Sequence, residues 1–470
     1  MLRLHRRTIA IVLCLVTGAA AVLIWTATSR VPVSYTAAVT VDTTSKVSGD
    51  LGAHYIGLSI ESGALNSGKI SSSGDLVRLL RNLGSSVLRF GGNSADTSFT
   101  GVSPSALRGL VSLAKASGWS VLYTENEGKY HTAQVTADAG MVSAALGDRL
   151  FAFACGNEPD VYSHNGLRPR DYSVGNYLRQ ATGCFHAIQA AAPDASLEGP
   201  DTAGNRSWFG AYAKREADTV GSLGQHYYPM GCTAPGDRPA GLVSAMLSPE
   251  LAASEAKTLA GYVATAKTAG KPLLITETNS ACGGGIQGLS DAYASALWAI
   301  DYLLTGAQHG VDGMYFHTGG LTSSCAGYAV LCQTGTSRYG AQPIYYGLLF
   351  THLLGTGRFL PVKVSQSARG GGNVTAFALK ASGGGIRVML ENLSGKQLDA
   401  TLRLGNYSGP ASVLRLTGPS PLATSGVQIQ GASVDANGNF DPRSPGSVHC
   451  RAGSCSVTLP PYSAALVTSG

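Results

Sequence analysis

Two stretches decide how this chain folds: Leu150-Phe-Ala-Phe-Ala-Cys-Gly-Asn-Glu-Pro159 and Lys271-Pro-Leu-Leu-Ile-Thr-Glu-Thr278. Each is an apolar run with the length of a buried strand, and each ends at a glutamate, Glu158 or Glu277. A carboxyl at the end of such a strand is costly unless it faces a polar cavity. The two glutamates lie 119 residues apart. That spacing suits the fourth and seventh strands of a (β/α)8 barrel, whose catalytic groups gather at the C-terminal lip. Paired carboxylates flanking one bond are the equipment of glycoside hydrolysis, with one as acid/base and the other as nucleophile in the retaining form.

Outward from these stretches the chain alternates between strand and helix patterns. Strands are predicted at 55–61, 86–91, 120–125, 150–157, 196–200, 222–228, 272–277 and 311–317. Helices are predicted near 74–83, 103–117, 134–147, 171–192, 206–217, 248–269, 288–308 and 342–354. Eight of each is what a closed parallel barrel requires, here across 46–355. No Gly-x-Gly-x-x-Gly follows the first strand, which argues against a dinucleotide fold. From about Gly355 the pattern becomes short alternating strands separated by Gly, Ser, Asn and Pro turns. Residues 356–470 are therefore expected to form an antiparallel β-sandwich, joined by a strand from 31–45.

The 470 residues carry 44% hydrophobic and only 13% charged side chains, enough for a large core and two domains. Arg3, Arg6 and Arg7 precede an 18-residue apolar run, Thr8 to Trp25. Residues 1–30 thus read as an export signal, with a signal anchor as the alternative and membrane attachment only in that case. Arg3, Arg6, Arg7 and Arg30 supply four of the six excess positive charges, so about two remain beyond this segment. No basic field for nucleic acid is indicated. Beyond Cys14, eight cysteines form an even set that reads as disulfides in an exported chain. Cys450–Cys455 and Cys325–Cys332 close small loops, and Cys232 and Cys282 follow neighbouring strands. Cys155 with Cys184 remains by elimination. No Cys-x-x-Cys pair occurs, and neither a metal nor a cofactor is expected.

Proline after Glu158 restrains the chain where a strand becomes a loop, and Asn157 can donate to a sugar hydroxyl. Burial in a cleft favours the protonated form that a general acid needs. A nucleophile at Glu277 needs nearby donors to stay ionised, and Tyr228, one strand away, can supply one. His226 is balanced between a core and a site role. Arg89 reads as a brace for a carboxylate at the barrel mouth. Glu125, Glu127, Asp312 and His317 read as rim or supporting groups.

These residues form a pattern. The chain resembles glycoside hydrolase family 79, the β-glucuronidase and heparanase-like group of (β/α)8 retaining enzymes, over nearly all of its length after the export segment. The likeness rests on Gly57-Leu-Ser-Ile-Glu61, Leu88-Arg-Phe-Gly-Gly-Asn93, Gly156-Asn-Glu-Pro-Asp160, His226-Tyr-Tyr228, Glu277-Thr-Asn-Ser-Ala-Cys-Gly-Gly-Gly285 and Gly327-Tyr328. Asn-Glu-Pro is shared across many retaining glycosidases, whereas the Glu277 segment with its triple glycine is far more specific. The resemblance implies that Glu158 is the acid/base and Glu277 the nucleophile. It also implies that Glu61, Asn93 and Asn157 bind sugar hydroxyls, and that the Gly283 and Gly284 amides with Tyr328 hold a uronate carboxylate. Glycines let bare N–H groups approach an anion closely. One position departs: Cys282 stands where family members often carry an aromatic, which removes one possible hydroxyl contact, and a Cys232–Cys282 disulfide could fix the glycine loop instead.

The implied substrate is a glucuronic-acid-containing glycan or glucuronide. A low charge favours non-sulfated glucuronides over heparin-like chains. The alternatives are a retaining glycosidase acting on neutral sugars, an endo-acting heparanase-like enzyme, and a silent carbohydrate-binding protein. The last has no need of two carboxylates at one bond.

Overall fold

The computed structural model describes residues 34–45, 49–232, 239–366 and 371–470. The segment 1–30 read as an export signal lies outside the described residues. Among the described residues, no helix is long and apolar enough to cross a membrane.

Eight strands pair in parallel in chain order: Ile56–Glu61, Val87–Gly91, Ser120–Glu125, Leu150–Cys155, Leu197–Thr202, Ser222–Tyr227, Leu273–Thr278 and Gly313–His317. The eighth returns to the first, with Met314 opposite Ile56 and His317 opposite Ser59, and closes the barrel. The helices after each strand include Leu76–Asn82, Pro104–Ser117, Thr132–Leu146, Val174–Ala191, Arg206–Glu216, Pro249–Thr268, Tyr293–His309 and Pro343–Leu354. Their starts follow local chemistry. Ser103 and Ser248 accept first-turn N–H bonds at 3.3 and 3.1 Å, and Pro104, Pro249 and Pro343 occupy positions where a missing N–H costs nothing.

The lower barrel interior is filled by Val87, Leu122, Ala154, Leu274 and Tyr315. A Cβ at position 57 would lie 2.2 Å from the Tyr315 ring, so the first strand needs a glycine there. Two residues further along the same faces come Arg89 and Thr276, and the interior turns polar.

The C-terminal region packs two sheets face to face. One contains Val362–Gln366, Ser34–Val41, Gln397–Leu404 and Ser454–Leu459; the other includes Gly409–Thr417, Ser463–Ser469, Ile386–Asn392, Val374–Ala381 and Gly357–Leu360. Tyr35, Ala37, Val39 and Val41 alternate inward to meet Leu398, Leu402, Val413 and Val467. One pairing departs from the antiparallel expectation: Ser34–Val41 runs parallel to Gln397–Leu404 while antiparallel to Val362–Gln366. No hairpin links the parallel pair, so no turn imposes a direction on it.

The helix Tyr293–His309 is buried along nearly its whole length because the barrel covers one side and the sandwich the other. Tyr293 donates through Oη to the Leu416 carbonyl at 3.2 Å, and Arg387 reaches the Leu354 carbonyl at 2.8 Å. The eight described cysteines form the four expected disulfides, Cys155–Cys184, Cys232–Cys282, Cys325–Cys332 and Cys450–Cys455.

Candidate active site

Glu277 is buried at the C-terminal end of the seventh barrel strand, opposite His226 on the sixth. Its Oε2 accepts from Arg89 Nη1 at 2.8 Å, and its Oε1 accepts from Tyr228 Oη at 2.7 Å. His317 Nδ1 stands 3.6 Å from the same carboxylate. Burial alone would raise the Glu277 pKa. The charges of His317, His226 and Arg89, with the Tyr228 hydroxyl, outweigh burial and pull it down to about 2. Glu277 is therefore a carboxylate that stays ionised although water is excluded from it.

Glu158 follows the fourth strand. Its backbone is left-handed at φ +53, an uncommon state for a residue with a side chain. Two neighbours hold it there: Pro159 starts a short 3-10 turn, and the Glu158 N–H donates to the Asp201 carbonyl at 2.9 Å. The side chain, about one-fifth exposed, meets His226 Nδ1 through Oε1 at 3.0 Å. Burial would lower the His226 pKa, but Glu277, Asp201 and Glu158 around it prevail and push it up to about 10.

Asp201, at the end of the fifth strand, joins the two glutamates. Its Oδ2 accepts from Arg89 Nε and Nη2 at 3.2 and 2.9 Å. Its Oδ1 accepts from Thr276 Oγ1 and lies 3.7 Å from His226 Nε2, beyond hydrogen-bond reach but within ion-pair range. Arg89 outweighs burial and holds Asp201 well below the usual carboxylate range. Beneath it, burial and the Asp201 charge push the Glu198 pKa far up, against the pull of Arg89 and His226.

Asn157 is buried and oriented at two points. Its N–H donates to Asp96 Oδ2 at 2.7 Å, and its Oδ1 accepts from Arg89 Nη2 at 2.9 Å. The amide Nδ2 is thus the group left to donate. Asp96 also accepts from the Glu127 and Gly128 N–H groups and from Tyr162, which ties the third and fourth strand ends together. Glu61 accepts from Ser94 N–H at 2.8 Å and lies 3.6 Å from His317 Nε2. Burial opposes ionisation of Glu61, but His317 and Ser94 prevail and lower its pKa. Asn93 begins a short helix after the second strand, and its exposed side chain makes no hydrogen bond among the described residues.

The Gly283–Gly285 loop follows the seventh strand with φ of +71, +100 and +81, values only glycine takes readily. Gly283 and Gly284 are exposed, and their N–H groups have no acceptor among the described residues. The Gly284 carbonyl accepts from the Tyr328 N–H at 3.0 Å. The Tyr328 ring stacks on Tyr228 at 6.1 Å and meets His317 edge-on at 5.5 Å. One wall thus runs from the glycine amides through Tyr328 and Tyr228 to Glu277.

Three expected rim groups lie elsewhere. Asp312 precedes the eighth strand, at the opposite end of the barrel, and accepts from the Leu273 N–H at 2.9 Å. Glu125 is buried beside Asp138, outside this network. Glu127 is buried against Asp96, and burial raises its pKa to about 8. Glu158, His226 and Glu277 each bring a ligand atom within 4.8 Å of the others, a spacing that could hold a metal. Both carboxylates are already taken up by His226, Arg89 and Tyr228, and a cation there would have to displace those donors.

The chain is 26% identical to a β-glucuronidase of Neurospora crassa over 221 residues, 43% of this chain and 39% of that one. It is also 26% identical to a β-glucuronidase of Aspergillus niger over 223 residues, again 43% of this chain and 40% of the relative. The matched region spans about two-fifths of the length of these curated relatives. No family model matches. Among solved structures, a 4-O-α-L-rhamnosyl-β-D-glucuronidase of Fusarium oxysporum superposes with TM-score 0.74 at 21% identity, covering 91% of this chain and all of that one. An arabinofuranosidase of Xanthomonas axonopodis superposes with TM-score 0.69 at 11% identity, covering 93% and 100%. The shared feature is the fold, a barrel with an attached β-domain.

Sequence reading did not single out Asp201, Ser59, Thr276 or Asp96. Asp201 sits one residue beyond the predicted end of the fifth strand, in Gly199-Pro200-Asp201-Thr202, which reads as a turn. A carboxylate just past a strand end was the available signal. Ser59, which accepts from Arg89 at 3.0 Å, and Thr276 are ordinary strand residues and gave none.

Proposed function

We propose that this chain is a retaining glycoside hydrolase that releases β-linked glucuronic acid by double displacement. Glu277 attacks the anomeric carbon while Glu158 protonates the glycosidic oxygen, which leaves with the aglycone. The resulting ester between sugar and Glu277 is hydrolysed by a water that gives its proton to Glu158.

The observation that carries this reading is the close approach of the two carboxyl groups, with an oxygen of each within 4.8 Å of the other. Retaining enzymes hold these groups about 5–5.5 Å apart, whereas inverting enzymes need about 6.5–9.5 Å to admit a water. The Glu277 environment supports its role, since Arg89 and Tyr228 keep it ionised and aimed, and Glu158 is partly open to solvent, where it can meet a leaving group or a water. Asn157 through Nδ2, Glu61 and Asn93 are assigned to sugar hydroxyls. The Gly283 and Gly284 N–H groups and the Tyr328 hydroxyl are assigned to the uronate carboxylate. The two β-glucuronidase relatives support that substrate class, and four disulfides fit an exported protein.

The test is hydrolysis of a chromogenic β-glucuronide beside the matching β-glucoside and β-xyloside. The expected result is strong preference for the glucuronide. Equal or better turnover of the neutral glycosides would reassign the enzyme to neutral sugars, and no turnover of any would favour a binding protein.

A further inference from the structure

The turn after the sixth barrel strand and the loop after the seventh are fastened together at three points. The Cys282 N–H donates to the Gly231 carbonyl at 3.0 Å, and the Met230 N–H donates to the Ser280 carbonyl at 3.0 Å. The disulfide Cys232–Cys282 makes the third link. On one side of this joint, Gly231 donates to the Tyr228 carbonyl at 2.9 Å, and Tyr228 touches Glu277. On the other side, Cys282 leads directly into Gly283 and Gly284.

Those two glycines are exposed, with open space where a Cβ would stand. Nothing in their own side chains restrains them, and glycine has more conformational freedom to lose than any other residue. Downstream, the Gly284 carbonyl is held by the Tyr328 N–H. Upstream, the anchor is Cys282. The Gly285 N–H also donates to the Cys282 carbonyl at 3.4 Å and closes a turn across the two glycines, so the turn that carries the two free amides is anchored upstream at Cys282.

We propose that the Cys232–Cys282 disulfide is a specificity-determining element that holds the Gly283 and Gly284 amides in register with Glu277, so that the site selects an anionic sugar over its neutral counterpart. This rests on assigning those amides to the uronate carboxylate. Without the covalent link only hydrogen bonds hold the joint, the glycine turn samples more positions, and part of the gain from the anion contacts is spent on narrowing them. A glucoside does not use these contacts and should not register the loss. The rival role is purely structural, because linking residues 50 apart also constrains the unfolded chain. The two roles predict different kinetics.

The measurement compares wild type, the double variant Cys232→Ser/Cys282→Ser, and a control, Cys450→Ser/Cys455→Ser, which removes a disulfide of the sandwich. Each is assayed on a β-glucuronide and a β-glucoside below its melting temperature. The proposal expects KM for the glucuronide to rise about tenfold with kcat within about threefold. It expects glucoside kcat/KM to stay unchanged, and the control to keep the wild-type ratio of the two activities. If the double variant does not fold, mild reduction of native wild type answers the same question, since Cys232 is exposed. The ratio should then fall on reduction and recover on reoxidation. An unchanged ratio, or an equal fall in both activities, overturns the clamp while leaving the uronate reading intact. A wild type without preference for the glucuronide overturns the uronate reading itself, and the clamp with it.

Discussion

Arg89 lies two positions beyond Val87 on one strand and Thr276 two beyond Leu274 on another, yet the two levels of the barrel interior follow opposite rules. The lower level, with Leu122, Ala154 and Tyr315, is mainly apolar, and burial opposes ionisation of the Glu198 carboxyl that pairs beside Ala154. Truncating such a group leaves a cavity costing about 2–5 kcal/mol. The upper level places Arg89, Asp201, His226 and Glu277 out of water within one another's reach. There each charge is tolerable only because its partners are present, and removing one costs about 3–5 kcal/mol by stranding the rest. Stability without chemistry lies at one level, and stability coupled to chemistry lies one pleat above it.

The largest effects should come from the glutamates above Arg89. Glu277→Ala should lower kcat/KM at least about ten-thousand-fold on every glycoside substrate. Glu158→Ala should cost about a hundred- to ten-thousand-fold on substrates with poor leaving groups. It should cost much less on nitrophenyl glycosides, which need little protonation. Equal losses on both kinds of leaving group would contradict the acid role.

Next comes the contrast between levels. Arg89→Met should destabilise by about 3–5 kcal/mol in denaturant melts and also remove activity. Leu122→Ala should cost about 2–5 kcal/mol and leave kcat within a few-fold. If Leu122→Ala abolished turnover in still-folded protein, the separation of levels would be wrong. Tyr328→Phe should lower kcat/KM for a glucuronide about ten- to a hundred-fold, the worth of one hydrogen bond to a charged group, and spare any glucosidase activity.

The smallest effect is on stability against pH. The Glu277 pKa is lowered from 4.5 to about 2, so its contribution is fully present above pH 4.5 and lost as pH falls through about 2. That of His226 is raised from 6.5 to about 10, so its contribution is fully present below pH 6.5 and lost as pH rises through about 10. Burial works against both shifts. The charged and titratable groups facing His226 are Glu277, Arg89, Asp201, Glu158, Glu198 and Asp160. The melting-temperature gap between wild type and His226→Gln should be widest below pH 6.5 and narrow towards pH 10. A gap that widened with pH would place the imidazole in its neutral form.

The barrel was legible because parallel strands are buried on both faces and read as apolar runs, each ending where a polar group appears. Strand ends at Glu61, Glu125 and Thr278 therefore fell within a residue of the pattern. The hairpin Leu331–Gly335 with Arg338–Ala341 and the strands Val362–Gln366 and Gly446–Cys450 did not stand out, because they are short and half-polar. Alternation in Ser34–Val41 fixed which face is inward but not which way its neighbour runs. In the site, glutamates breaking an apolar run were visible. Asp201 was not, since its importance lies in reaching Arg89 from another strand, a contact that no local pattern encodes.

The most direct test of the account is to follow the anomers of the sugar released from a β-glucuronide by proton NMR during the first minutes of hydrolysis, before mutarotation. Double displacement through Glu277 predicts that the β anomer appears first and the α anomer grows in afterwards. The α anomer appearing first would mean a single inverting step, and Glu277 would not be the nucleophile.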